Sequence, residues 1–181
     1  KKFNCIKILE RGSSHIKFQH KILTDEYKSL GIKPNVPSSK MIKKEIEEYD
    51  LADFICVPSQ YVKETFIKYG IKKDKIIKIP YGVDLKEFCV VETKKRKDNK
   101  FRIISTGSIS VRKGSHYLLE AFKELSLPNS ELIFVGSFDP DFKKIIKRYS
   151  NIKNIRFIKK QKQELLRNFY NDSDIFVICS I

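Results

Sequence analysis

The chain has 181 residues, 41% of them apolar and 12% aromatic, and carries a formal net charge of +15. That is room for one ordinary domain or two small ones, with enough apolar material for a core, so a disordered tail is excluded. No apolar run approaches the roughly 18 residues of a membrane span, and Lys1-Lys2-Phe3-Asn4-Cys5 lacks the apolar core and cleavage site of a signal peptide.

In chain order, Cys5–Leu9 predicts the first strand. After Gly12-Ser13-Ser14, Ile16, Leu23, Tyr27 and Leu30 mark one side of a helix that Gly31 ends. Pro34 and Pro37 hold a loop, and Ser38 or Ser39 caps a helix with Ile42, Ile46 and Tyr49 on one face. Its other face carries Lys43–Glu47 and Lys44–Glu48 pairs. Phe54–Val57 is the next strand, and Ser59 caps a helix carrying Val62, Phe66 and Tyr69, closed by Gly70. Ile76–Ile79 follows as a strand, stopped by Pro80-Tyr81-Gly82, which reads as a tight turn with Gly82 left-handed. Residues 89–100 read as a linker, with a basic run from Lys94 to Lys100.

Beyond the linker the alternation is regular. Arg102–Ser105, Leu132–Val135, Ile155–Ile158 and Ile175–Cys179 predict strands. Between them, Leu118, Phe122 and Leu125, then Phe142, Ile145, Ile146 and Tyr149, then Leu165, Leu166, Phe169 and Tyr170 predict helices. Repeated strand-helix-strand units build a parallel sheet with helices on both faces, and such sheets bind ligands beyond the carboxyl ends of their strands. The loops 107–114, 136–139, 159–162 and the residues after Cys179 are therefore the places for a site. The chain lacks an initiating Met and stops two residues after its last predicted strand, so we expect it to be a piece of a longer protein.

The charge excess is mostly lysine, which reads first as a solvated surface and second as a means of docking on anionic lipid head groups. No helix-turn-helix, finger or ribonucleoprotein signature is present, so no nucleic-acid partner is expected. Cys5, Cys56 and Cys179 sit in apolar runs, which predicts buried, reduced thiols of a cytoplasmic protein. There is no C-x-x-C, and His15, His20 and His116 form no H-E-x-x-H, so no zinc or redox site is expected; no cofactor is expected either.

Two loops carry candidate chemistry. Gly107-Ser108-Ile109-Ser110-Val111-Arg112-Lys113-Gly114 joins a strand to a helix. Glycines let a backbone approach a ligand, a helix N-terminus favours anions, and Arg112 and Lys113 add two cations that suit a diphosphate. The same segment also reads as an ordinary strand-to-helix turn with surface cations. Glu10-Arg11-Gly12-Ser13-Ser14-His15 crowds charged and hydroxyl groups at a strand end. It is either a substrate-contacting loop or a helix start capped by Ser13 or Ser14, with His15 in the first turn.

Taken in order, these motifs resemble the family 4 retaining glycosyltransferases. Ala52-Asp53-Phe54-Ile55-Cys56-Val57-Pro58-Ser59 and Ile79-Pro80-Tyr81-Gly82-Val83-Asp84 with Phe88 match two of that family's segments. Gly107 to Lys113-Gly114 followed by Leu118-Leu119-Glu120-Ala121-Phe122, then Leu132–Gly136, then Asp172–Ser180, match three more. The resemblance spans about Ala52–Ser180. It implies the GT-B fold, two Rossmann-like parallel α/β domains, here both incomplete. Residues 1–88 would be part of the acceptor-side domain and residues 101–181 the first half of the donor-binding domain. The implied activity is transfer of a sugar from a UDP- or GDP-sugar to an acceptor hydroxyl, with retention and without a metal. The acceptor would be a carbohydrate or a lipid-linked glycan, and the enzyme cytoplasmic or peripheral at the inner membrane face.

By the same resemblance Lys113 contacts the donor diphosphate, with Gly107, Ser108, Arg112, Gly136 and Ser180 around the donor. Glu10, Arg11, Ser13 and His15 lie on the acceptor side. Three positions depart from the family pattern: Ser108 where an Arg is usual, Lys159 where a strand usually ends in Gly, and Glu10-Arg11 where a His is usual. The family's glutamate pair would begin just after Ile181, so the resemblance assigns no catalytic residue within this chain. Without that pair, the alternative expectation is a nucleotide-binding or regulatory module that transfers nothing.

Overall fold

The structure is a computed structural model, and it describes residues 5–89, 96 and 98–181. The chain divides into two units, Lys1–Gly82 and Val83–Ile181. The expected linker falls largely on residues outside those described. Several of its described residues are engaged within the second unit. Arg96 donates to the Asp172 carbonyl at 2.8 Å and pairs with Asp174 at 2.6 Å, and Asp98 pairs with Arg102.

The first unit runs β1 (Ile8–Glu10), α1 (Ile16–Ser29), α2 (Ser39–Leu51), β2 (Phe54–Val57), α3 (Gln60–Lys68) and β3 (Ile76–Lys78). Its strands form a parallel sheet in the order β1-β2-β3. Each step moves the same way across the sheet, and right-handed crossovers then put every connecting helix on one face. The core agrees with that rule: Ile55, Val57 and Ile76 cluster with Ile16, Tyr49, Val62 and Phe66. The alternate strand residues face the other way, and there Ile8 is 60% exposed and Ile77 38%. The expected caps form: the hydroxyls of Ser38 and Ser59 accept from the amides of Met41 and Val62. Gly31 and Gly70 have positive φ, whereas Gly82 does not, so the expected left-handed turn at Gly82 is corrected. Pro80 already halts pairing, because it has no amide to donate.

The second unit runs β4 (Phe101–Thr106), α4 (Ser115–Leu125), β5 (Ser130–Val135), α5 (Phe142–Ile146), β6 (Ile155–Ile158), α6 (Gln163–Asn171) and β7 (Ile175–Phe176). All its strand pairs are parallel, in the order β6-β5-β4-β7. The chain steps outward from β4 to β6, then crosses back to β7. Handedness therefore moves α6 to the opposite face from α4 and α5. Ile104, Ile133 and Val135 pack against Leu166, Phe169 and Tyr170 of α6. β5 is buried along its whole length, as a strand with helices on both faces should be.

Other expectations fail in detail: the strand predicted over Cys5–Leu9 forms instead at Ile8–Glu10. The helix predicted through Tyr149 ends at Ile146 and continues as a 3-10 turn, Lys147–Tyr149. The last strand is two residues rather than five, because β7 pairs β4 only at Ile175 and Phe176. The cysteines are free thiols, but Cys5 is exposed and Cys56 and Cys179 are only half-buried. Among the described residues no helix is long and apolar enough to cross a membrane.

Candidate functional site

In the second unit the chain reverses its direction of travel between β4 and β7. In parallel sheets the helices part at such a point and leave a crevice outside the strands' carboxyl ends. The segments leaving β4 and β7 meet there. The amide of Ile181 donates to the Arg112 carbonyl at 3.1 Å. Gly114, at φ +62°, packs so closely on the backbone of Cys179 that any Cβ would overlap its carbonyl oxygen.

The loop from Gly107 to Gly114 is held at several points. Ile109 and Val111 are each 1% exposed and anchor it to the core. The Ile109 amide donates to the Ser137 carbonyl at 2.9 Å, and the Asp139 amide donates to the Ile109 carbonyl at 3.0 Å. The Gly107 amide donates to the Val135 carbonyl at 3.0 Å. What this leaves outward is Gly107 and Arg112, both exposed, and the half-buried Ser108 and Lys113. Partial burial, and then the neighbouring Arg112 charge, hold the Lys113 amine below its ordinary pKa. An anion placed here would relieve both penalties, which a neutral ligand would not.

Gly107 has φ +115° and open space where a side chain would stand. Gly136 differs: it is buried, and a Cβ on it would overlap the Gly107 carbonyl oxygen. Of the residues expected around a donor, Gly107, Arg112 and Lys113 therefore share one loop. Gly136 supports that loop from beneath. Ser180 is exposed next to Ile181, whose amide ties to Arg112. Lys159 and Lys160 are exposed where β6 ends, beside the strand that leads to Gly136.

In the first unit a cavity of about 430 Å³ opens at the strands' carboxyl ends, lined in part by Glu10, Arg11, Cys56, Pro80 and Tyr81. Glu10 is exposed at its edge. Arg11 is turned inward, paired with Glu45 at 2.7 Å and lying over the Tyr49 ring at 5.7 Å. Ser13 is exposed and does not line the cavity, and neither does His15.

His15 is itself the N-cap of α1, in place of Ser13 or Ser14, with Nδ1 accepting from the Lys17 amide at 3.2 Å. Its ring stacks on Tyr69 at 4.6 Å and meets Tyr49 and Phe66, so it belongs to the core. Burial first, and then the charges of Lys17 and Arg11, lower its pKa from 6.5 to about 4.

Sequence reasoning missed the serines that brace the donor-side loop. Ser110 is 1% exposed and its hydroxyl accepts from the Lys113 amide at 3.2 Å. Ser115 accepts from the Ser110 amide at 3.2 Å. The legible signal was a serine three residues before a donor amide, the spacing of a helix cap. Tyr81 was also missed: its hydroxyl occupies the space a Cβ on Gly12 would need.

A model of the glycosyl transferases group 1 family matches residues 91–181. No curated protein sequence matches the chain. Among solved structures, HepE of Anabaena, crystallised with UDP and glucose, superposes with a TM-score of 0.66 at 17% identity, over 96% of this chain and 46% of HepE. A second HepE structure holds UDP-glucose and superposes equally well, at 18% identity. WaaG, a glycosyltransferase involved in lipopolysaccharide biosynthesis, gives 0.64 at 14% identity, over 97% of this chain and 50% of WaaG. TarM of S. aureus gives 0.64 at 11% identity, over 98% of this chain and 32% of TarM. The chain thus spans about half the length of HepE and WaaG, and a third of TarM. The architecture is that of the GT-B glycosyltransferases, parallel α/β sheets with the loop of Arg112 and Lys113 where the strand order reverses. With the family model matched over its second half, the chain belongs to the glycosyl transferases group 1.

Proposed function

We propose that residues 101–181 of the second unit bind the nucleoside diphosphate of a sugar donor, and that the protein transfers that sugar to an acceptor hydroxyl with retention. The observation that carries the reading is the Lys113 amine beside Arg112, both on a braced loop at the switch point of a parallel sheet. The leaving group of such a transfer is a nucleoside diphosphate, on which negative charge builds as the glycosidic bond breaks. Arg112 and Lys113 stabilise that charge without a metal, the more so because Lys113 is partly withdrawn from water. Gly107 lets the phosphates reach the backbone, and Ser108 and Ser180 flank them.

In this mechanism the departing phosphate takes the proton of the acceptor hydroxyl, which attacks from the same face, so the anomeric configuration is kept. No protein carboxylate pair of the glycosidase kind is then required. Glu10 and Arg11 belong to the acceptor side, and the acceptor is a carbohydrate, free or lipid-linked. HepE structures with UDP and with UDP-glucose make UDP-sugars the donors to try first.

The test is titration of the chain with UDP and GDP, beside the Lys113→Ala variant. Loss of one charged hydrogen bond to phosphate should weaken binding about tenfold or more, with the melting temperature unchanged. Equal binding by the variant, or none by the native chain, sinks the donor reading. Product stereochemistry, followed by NMR on the full-length protein with UDP-glucose, decides retention. Binding without turnover there would favour the regulatory module.

A further inference from the structure

We propose that Ser110 is a positioning residue of the diphosphate site: its buried hydroxyl holds the Lys113 amide and so sets where the Lys113 side chain starts. The inference rests on the donor reading above and assigns a role to a residue that contacts no ligand in that reading.

The geometry is a clasp around one turn of chain. Ser110 is 1% exposed, so its polar atoms have to be satisfied by the protein. Its hydroxyl accepts from the Lys113 amide at 3.2 Å. Its own amide donates to the Ser115 hydroxyl at 3.2 Å, and its carbonyl accepts from the Ser115 amide at 3.2 Å. The Gly114 amide donates to the Val111 carbonyl at 2.8 Å and closes the same turn. Ile109 and Val111, 1% exposed on either side, fix Ser110 to the core. Lys113 is thus held through its backbone by a buried residue that is itself bonded on both sides.

The brace matters because a lysine stem is long and flexible. Its ammonium reaches one place reliably only if the Cα is fixed, and diphosphate recognition depends on that place. The N-cap of α4 is Gly114, which has no side chain to cap with, and the Ser110 hydroxyl orders the residue just before it. Removing it leaves the Lys113 amide to find water and lets the loop drift.

The experiment is a double-mutant cycle on the full chain, using whichever of UDP and GDP the native protein binds. The four proteins are native, Ser110→Ala, Lys113→Ala and the double variant, each melted as well as titrated. Ser130→Ala is the control, since Ser130 is equally buried but its hydroxyl bonds the Leu127 carbonyl at the other end of the sheet. Ser110→Ala should weaken binding about five- to tenfold in the native background and by less than twofold in the Lys113→Ala background. Ser130→Ala should leave the affinity alone whatever it does to the melt.

If Lys113→Ala weakens binding but Ser110→Ala has no effect, or the same effect in both backgrounds, the positioning role is wrong and the donor reading stands. If Lys113→Ala changes nothing, or the native chain binds neither nucleotide, the donor reading fails and takes the inference with it. Should Ser110→Ala not fold, Ser115→Ala takes its place in the cycle, because it opens the clasp from the other side. The same non-additivity is then required.

Discussion

Gly136 shows how one missing atom lets two backbone segments meet. Its Cα lies against the Gly107 carbonyl, and an added methyl would overlap that oxygen. Gly136→Ala should therefore push the Gly107 backbone out of place. The expected cost is about 1–3 kcal/mol in a chemical melt, as for other overpacked sites. Nucleotide affinity should fall with it, although Gly136 is buried beneath the loop. An alanine variant with native melt and native affinity would show that Gly136 is not the spacer described here. The strand ending in Gly136 was legible in the sequence, but the close approach of its glycine to the Gly107 backbone was not, because it joins two loops far apart along the chain.

At the scale of elements, α1 depends on an unusual cap. His15 Nδ1 accepts from the Lys17 amide, so that nitrogen must be unprotonated. The folded state lowers the pKa of the ring from 6.5 to about 4, and the unfolded chain returns it to about 6.5. The unfolded state therefore binds the extra proton first. Above pH 6.5 the contribution to stability is intact; it is lost as pH falls from 6.5 to about 4, by no more than about 1.4 kcal/mol per pH unit. Thermal melts should show this decline in the native chain. In His15→Asn, which keeps a capping acceptor but does not titrate, the decline should be shallower from a lower starting point. Equal slopes would assign the acid sensitivity to other groups. The helix itself was legible from Ile16, Leu23 and Tyr27, whereas the cap was not. Ser13 and Ser14 are the better caps by residue type, and what selects His15 is its ring's burial against Tyr49, Phe66 and Tyr69. The last strand is a similar case. Its apolar run is five residues long, but β4 offers β7 pairing partners only at Ile103 and Ile104.

At the scale of the whole molecule, the two sheets differ in how they are covered. In the second unit the strand order reverses, so helices fall on both faces. In the first unit it does not, and among the described residues the face bearing Ile8 and Ile77 carries no helix. Parallel sheets are normally buried on both faces, and an open apolar face favours association. Sedimentation of this chain should show self-association that grows with concentration. Ile8→Lys combined with Ile77→Lys should shift it toward monomer, because both positions point out of the open face. A native chain that is monomeric at all concentrations would overturn this.

The order of strands and helices, the parallel sheets, a cap at Ser38 or Ser39 and the cap at Ser59 were determined by the sequence alone. Each follows from residues near one another along the chain: apolar periodicity, a hydroxyl before a helix, a glycine after it. The family followed too, because its motifs are local and come in a definite order. The tertiary structure decided which candidate residues lie together. It brought Arg112 and Lys113 to the switch point with the residues after β7, turned His15 into the core, and made Ser110 the brace of Lys113. Those outcomes depend on packing between segments distant in sequence, and on distances of a few ångströms that residue types do not encode.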